Sequence, residues 1–371
     1  MNKDHFDIAI VGGGIIGLAQ AWERAKKGQK VILFERNPQA QGASIRNFGM
    51  IWPIGQPTDS YPVALKSREI WLELAEKANF WAVPSGSLHL AYHEDEWAIL
   101  NEFHALYHNN PYSIELLTPE MVSQKSAAVK TKGLFGAMFS TTEVNVDPRQ
   151  AVWQMHKYLK EVLNVHIEYK TVISAVDFPS LYSGKKVWQA DKVILCTGED
   201  LETLYPEYYQ SLDLVKCKLQ MMRTASQPSD WSLGANLAAG LTLLHYESFL
   251  PCPSREILKK RVENESPEYL KRGIHVMASQ SAYNELTLGD SHHYGDTILP
   301  FDDQKTNDLI LQYLDSFAQF PHPEIQSFWN GTYVKKPNSK WHIGEIEPGV
   351  QAVTGVGGAG MTLSFGLADL T

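Results

Sequence analysis

Apolar residues fall in short runs whose spacing changes along the chain, and those changes mark out its elements. Asp7-Ile8-Ala9-Ile10-Val11 is a brief run of the kind that fills a strand buried on both faces. It stops at Gly12-Gly13-Gly14-Ile15-Ile16-Gly17. Helical spacing then continues to about Lys27, and Gly28 stands where a helix C-terminal glycine belongs. Lys30-Val31-Ile32-Leu33-Phe34 predicts a second strand, ending on Glu35. Helical spacing returns over residues 63–78 and 147–163, where Asp147 can cap the helix and Pro148 suits its first position. Residues 165–169, 193–198 and Val350–Thr354 read as further strands, the last opening onto the glycine-rich stretch 355–362. Residues 80–145 and 215–330 differ. Alternation at 219–224, 275–279 and 285–288 suits an antiparallel sheet.

The layout is therefore an α/β domain assembled from residues 1–80, 146–214 and 331–371. A β-rich, discontinuous domain of residues 81–145 and 215–330 interrupts it. The first forty residues are a physical device for holding a dinucleotide. Gly12 permits the tight turn, Gly14 lets the backbone approach a pyrophosphate, and Gly17 lets helix and strand pack closely. The helix N-terminus offers N–H groups and a partial positive charge to phosphate. Glu35, 18 residues after Gly17, is placed to accept from a ribose hydroxyl. Glycine-rich turns also arise for steric reasons alone; the two flanking strands and the acid single out the dinucleotide reading.

Composition narrows the class. The 371 residues suffice for two domains with cores, and 44% apolar with 11% aromatic content fits a globular chain. A net charge of -9 argues against broad nucleic-acid binding but leaves room for a local positive pocket. Three cysteines without CxxC spacing predict neither a disulfide framework nor a metal site, and favour a reducing compartment. No apolar run approaches the roughly 18 residues of a membrane span. The N-terminus shows no signal-peptide profile, so a cytoplasmic protein without an integral membrane segment is expected.

These residues resemble the D-amino-acid oxidase-like flavoproteins, the group containing glycine oxidase and sarcosine oxidase. The resemblance spans nearly the whole chain. It rests on Gly12–Gly17 with Glu35-Arg36, on Gly42-Ala43-Ser44 leading to Gly49-Met50, on Thr197-Gly198, and on the terminal glycine-rich segment. It implies a Rossmann-like FAD-binding domain with a discontinuous antiparallel-sheet substrate domain, and non-covalent FAD. Ile15 and Ile16 would lie at the pyrophosphate, Glu35 and Arg36 at the adenosine, and Val172 against adenine. Gly198 belongs to the same cofactor set. Ala43, Ser44, Asn47, Phe48, Gly49 and Met50 would line the flavin. Val356, Gly357, Gly358, Ala359, Gly360, Met361 and Thr362 would wrap its ring, with N–H groups opening a C-terminal helix. That helix has about eleven residues before Thr371, fewer than typical members, which points to a trimmed or naturally short terminus.

The chain departs from its relatives where they anchor a substrate carboxylate. Glycine oxidase-like members carry an arginine at the position of Tyr333, and sarcosine oxidase-like members a lysine at that of Thr362. Thr287 takes the place of a lysine that sarcosine oxidase carries near the flavin, so oxygen or another electron acceptor both stay open. Arg46, Lys335 with Lys336, and the pair His292-His293 after Asp290 are candidates for a different anion, with Met50 and Tyr333 beside them. Each competes with a plainer role as a solvated charge or a satisfied structural histidine. The run from Arg46 to Pro53, with Ile54-Gly55-Gln56, resembles a subgroup associated with aminophosphonate breakdown.

The expected activity is FAD-dependent amine oxidation: hydride leaves the amine-bearing carbon for flavin N5, and water hydrolyses the imine. An anionic small amine, 2-aminoethylphosphonate or an N-alkyl derivative, is the expected substrate. No side chain stands out as a catalytic acid or base, and none is required if the amine is neutral. The alternatives are a D-amino-acid, glycine or sarcosine-type oxidase, a 2-hydroxy acid or glycerol phosphate dehydrogenase, and a non-enzymatic flavin carrier.

Overall fold

The computed structural model describes residues 5–371. Five strands form a parallel core in the order His166–Tyr169, Val31–Glu35, His5–Val11, Lys186–Leu195, Val350–Thr354. Every residue of Val31–Glu35 is buried, as a parallel strand covered on both faces requires. The helices Ile15–Lys26, Tyr61–Lys77, Pro148–Glu161 and Gly360–Ala368 cover one face, where Leu18, Trp22, Trp71, Val152, Met155 and Phe365 share one core with Ile8 and Ile10. Asp147 caps its helix, its carboxylate accepting from the Arg149 N–H at 3.0 Å with Pro148 in the first turn.

A second sheet of nine strands faces the carboxyl ends of the first. It is antiparallel apart from Asn236–Ala238, which runs parallel to Ser87–Ala91. There the two chain segments of the discontinuous sheet meet, and no hairpin dictates their relative direction. The boundary expected at residue 331 falls inside the strand Ile325–Lys335. Its ladder with Val215–Ser226 continues through Tyr333↔Cys217 and Lys335↔Val215, so the chain leaves this sheet only after Lys335. Alternation along that strand puts Gly331, Tyr333 and Lys335 on one side. A small third sheet, Met50–Ile51 with Val144–Val146 and Ala82–Val83, ties the two halves together.

Candidate active site

One cavity of about 700 Å³, a size usual for cofactor and small-molecule sites, opens where the parallel strands end and the second sheet begins. Val11, Glu35 and Cys196 line it from the strand ends, and Leu219, Met221, Met277 and Tyr333 from the opposing sheet. A ligand outside the carboxyl ends of parallel strands is the general rule for such folds.

Two helix N-termini enter this cavity. The first helix starts at Ile15, so the N–H groups of its opening turn have no partner inside the helix. The Ile15 N–H donates to Ser44 Oγ at 2.8 Å, which draws the loop after Gly42 onto the turn. Gly12 has φ +112°, and a Cβ there would strike the Cys196 carbonyl. The carboxylate of Glu35 accepts from the N–H groups of Gly13 (3.1 Å) and Asn37 (2.9 Å) and borders the cavity. Arg36 lines the same end, ion-paired with Asp200. The second N-terminus is the segment 356–362, a short 3-10 turn running into Gly360–Ala368, and all seven of its residues line the cavity. Thr362 Oγ1 accepts from the Trp52 N–H at 2.9 Å, and the Met361 carbonyl accepts from Trp71 Nε1 at 2.8 Å.

The far end of the cavity is rich in rings and protons. His245, His275 and His292 line it together, with Tyr246, Asp290, Tyr294, Tyr333 and Lys335. The His245 and His275 rings stack at 3.8 Å, and those of His275 and His292 at 4.9 Å. Burial, with mutual repulsion, pushes His245 and His275 well below the usual imidazole range and His292 to about 4. His245 is exposed at the cavity surface, and its ring is crowded by those of Tyr246, His275 and His292. Burial raises Asp290 well above the usual carboxyl range and keeps the Tyr333 phenol neutral. Lys335 lies against Gly357, its Cγ 3.5 Å from where a Cβ would stand, and no carboxylate among the described residues pairs with its ammonium.

Of the cofactor-binding residues expected from sequence, Gly12, Gly14, Ile15, Ile16, Glu35, Arg36, Ala43, Ser44, Asn47, Phe48, Met50, Val172, Gly198 and the segment 356–362 all border this cavity. Gly17 and Gly49 do not. A Cβ on Gly17 would meet the Gly12 carbonyl and one on Gly49 the Val146 carbonyl, so both serve backbone packing. Among substrate candidates, Arg46, Met50, His292, Tyr333 and Lys335 border it, with Arg46 Nη1 donating to the Asn330 carbonyl at 3.3 Å. His293 is corrected: it is exposed and turned away. Successive strand positions face opposite sides, so His292 and Tyr294 take the cavity side. Lys336 faces His342, and Thr287 is buried outside the cavity lining. The sequence reading missed His245, His275, Asp290, Tyr246 and Tyr294. They come from separate segments, and no local motif in the sequence links them.

Fold and cavity thus define a dinucleotide-binding protein with a second sheet closing over the site. The profile of the family described as FAD dependent oxidoreductase matches residues 7–371, and the chain belongs to that family. Glycine oxidase of Geobacillus kaustophilus (strain HTA426) is 30% identical over 143 residues, 36% of this chain and 38% of its own length. Monomeric sarcosine oxidase of Bacillus sp. (strain B-0618) is 23% identical over 201 residues, 52% of this chain and 51% of its own. The chain therefore spans only about a third to a half of these curated relatives. In fold, it resembles the crystal structure of glycine oxidase from Bacillus cereus ATCC 14579, with TM-score 0.78, 18% identity, and 98% and 94% of the two chains covered. FAD is the cofactor of the family, and the residues fit it. Gly14 leaves a cradle that a Cβ would fill to within 3.0 Å of Ser44 Oγ, and two helix N-termini open into one cavity. No helix of the described residues is long and apolar enough to cross a membrane.

Proposed function

We propose that this chain is an FAD-dependent amine oxidoreductase acting on a small amine with an anionic far end, 2-aminoethylphosphonate or an N-alkyl derivative. One observation carries the substrate reading. Lys335, with no carboxylate partner among the described residues, lines the same end of the cavity as Tyr294, Tyr333 and the three histidines, beside the Gly357 turn. A phosphonate carries more charge than a carboxylate and has three acceptor oxygens, which suits several donors converging from different strands. Tyr333, where glycine oxidase-like relatives are expected to hold an arginine, keeps its proton and serves as a neutral donor.

Bound non-covalently, FAD would supply a hydride acceptor for the carbon bearing nitrogen. The Gly12–Gly14 turn and the first-turn N–H of Ile16 would hold its pyrophosphate, Glu35 its ribose, and the segment 356–362 its ring. Tyr333, Met50 and the opposing sheet would orient the substrate and exclude water. The electron acceptor is oxygen or another oxidant, and three buried, unpaired cysteines favour a cytoplasmic setting. Anaerobic titration of the flavin absorbance tests the reading. Aminophosphonates should bleach it at concentrations where glycine, D-alanine and glycerol phosphate do not. Bleaching by glycerol phosphate alone would instead favour alcohol oxidation.

A further inference from the structure

His275 is 2% exposed, yet neither ring nitrogen has a hydrogen-bond partner among the described residues. Asp290 Oδ1 lies 3.2 Å from His275 Nε2 and is also unpartnered, because the two groups meet at an unsuitable angle. Buried polar atoms without partners are rare in folded proteins. Both side chains border an open cavity, which leaves room for a ligand to supply the missing partner.

Three ligand classes compete for the position. One nitrogen from each of His245, His275 and His292 lies within 4.8 Å of the others, which invites a metal ion. A metal at about 2.0–2.1 Å needs lone pairs that converge, and each lone pair lies in its ring plane. Here His245 and His275 stack at 28° and His275 and His292 at 20°, so the lone pairs of each stacked pair run side by side, and only His245 and His292 are tilted, at 41°. An ammonium group would meet Lys335, which already opposes positive charge on His245 and His292. It would also meet Asp290 in its neutral form. An anion meets complementary groups throughout: the Lys335 ammonium, the hydroxyls of Tyr294 and Tyr333, and imidazole N–H donors.

We propose that His245, His275 and His292 form an anion subsite that takes up a proton from solvent as the anion enters. The inference rests on the aminophosphonate reading only for the identity of the anion. A neutral imidazole donates one N–H, whereas its protonated form donates two. His292 Nδ1 lies 3.2 Å from the Gly273 carbonyl, so the ring that donates there gains an Nε2 hydrogen only on protonation. An anion at hydrogen-bond distance restores the favourable charge that burial removed. The ionisable groups facing the cluster are Tyr246 beside His245, Cys217 on the central strand, Asp290, Tyr294, Tyr333 and Lys335. Asp290 is the carboxyl among them, and its ionisation beside an anion would set like charges together. The proton therefore comes from water.

Methanesulfonate, whose charge is fixed across the neutral range, is the probe. Its binding to the FAD-loaded protein is measured by calorimetry from about pH 6 to 8, in two buffers of different ionisation enthalpy. Uptake of one proton predicts a Kd that rises about tenfold per pH unit. His292→Asn should bind at least about tenfold more weakly and lose the proton uptake with flavin content unchanged. His245→Asn, on the cavity surface, provides a second variant if the first fails to fold. A pH-independent Kd, or unchanged uptake in both variants, overturns the proposal. So does a stoichiometric metal whose chelation abolishes methanesulfonate binding. The probe has no amine to oxidise, which separates the two readings. Proton-linked binding without aminophosphonate turnover rejects only the substrate, and turnover without proton-linked binding rejects only the subsite.

Discussion

Gly14 and Gly12 are two residues apart and do different physical work. A Cβ at Gly14 would come within 3.0 Å of Ser44 Oγ, a side-chain atom that can shift, and any larger group would occupy the phosphate space. Gly14→Leu is therefore expected to give folded, colourless protein, checked by circular dichroism and by absorbance after reconstitution with FAD. At Gly12 the obstacle is the fixed Cys196 carbonyl and φ is +112°, so Gly12→Ala should lower folding yield as well. Retention of FAD by Gly14→Leu would remove this turn from the cofactor site. Tyr333 allows a subtler test at the other end. Tyr333→Phe keeps the ring and deletes a hydroxyl whose net contribution is about 0.5–1.5 kcal/mol. KM for an aminophosphonate should rise roughly two- to tenfold with little change in kcat, and an unchanged KM would mean the hydroxyl does not touch substrate.

The helix Pro148–Glu161 joins the two sheets through its first turn. The Asp147 carboxylate caps it and pairs with Arg149, which reaches Glu285 of the second sheet at 2.6 Å. Asp147→Ala should cost about 1 kcal/mol for the cap alone, and the denaturation midpoint should fall while bound FAD per folded molecule stays constant. Loss of FAD without loss of stability would contradict this. The same helix shows what was legible from sequence. Asp147-Pro148 is a local signal, and so are the βαβ run from Asp7 to Glu35 and the glycines before the last helix; each carries its meaning within about thirty residues. The strand Ile325–Lys335 was less legible, because its partner Val215–Ser226 lies about a hundred residues away and its own pattern mixes Gly331 and Lys335 among apolar positions. The histidine cluster was least legible. His245 ends a short helix, His275 precedes a strand, and His292 follows another, so only the sheet register brings them together.

At the scale of the whole molecule, cofactor and anion bind to a cavity that exists only when both sheets are folded. Each therefore stabilises the protein by about 2.7 kcal/mol when free ligand is a hundred times its Kd. Protons enter the same linkage. His89 is buried with its pKa lowered to about 3, and His292 to about 4, from an ordinary value of 6.5. Below 6.5 the unfolded chain binds more protons at these positions than the folded one. Their contribution is thus complete above 6.5 and is lost as pH falls toward 4 and then 3. Asp290, Glu96 and Glu143, whose carboxyls burial holds up, act in the opposite sense, so the absolute melting curve mixes both. Comparing protein with and without methanesulfonate removes that background. If the histidine subsite takes up a proton with the anion, the bound form no longer resists protonation there. The rise in melting temperature at a fixed methanesulfonate concentration should then be larger at about pH 6 than at about pH 8, and His292→Asn should abolish the difference. Equal protection at both pH values would show that the anion enters without a proton, held by Lys335, the two tyrosines and the N–H groups of neutral imidazoles.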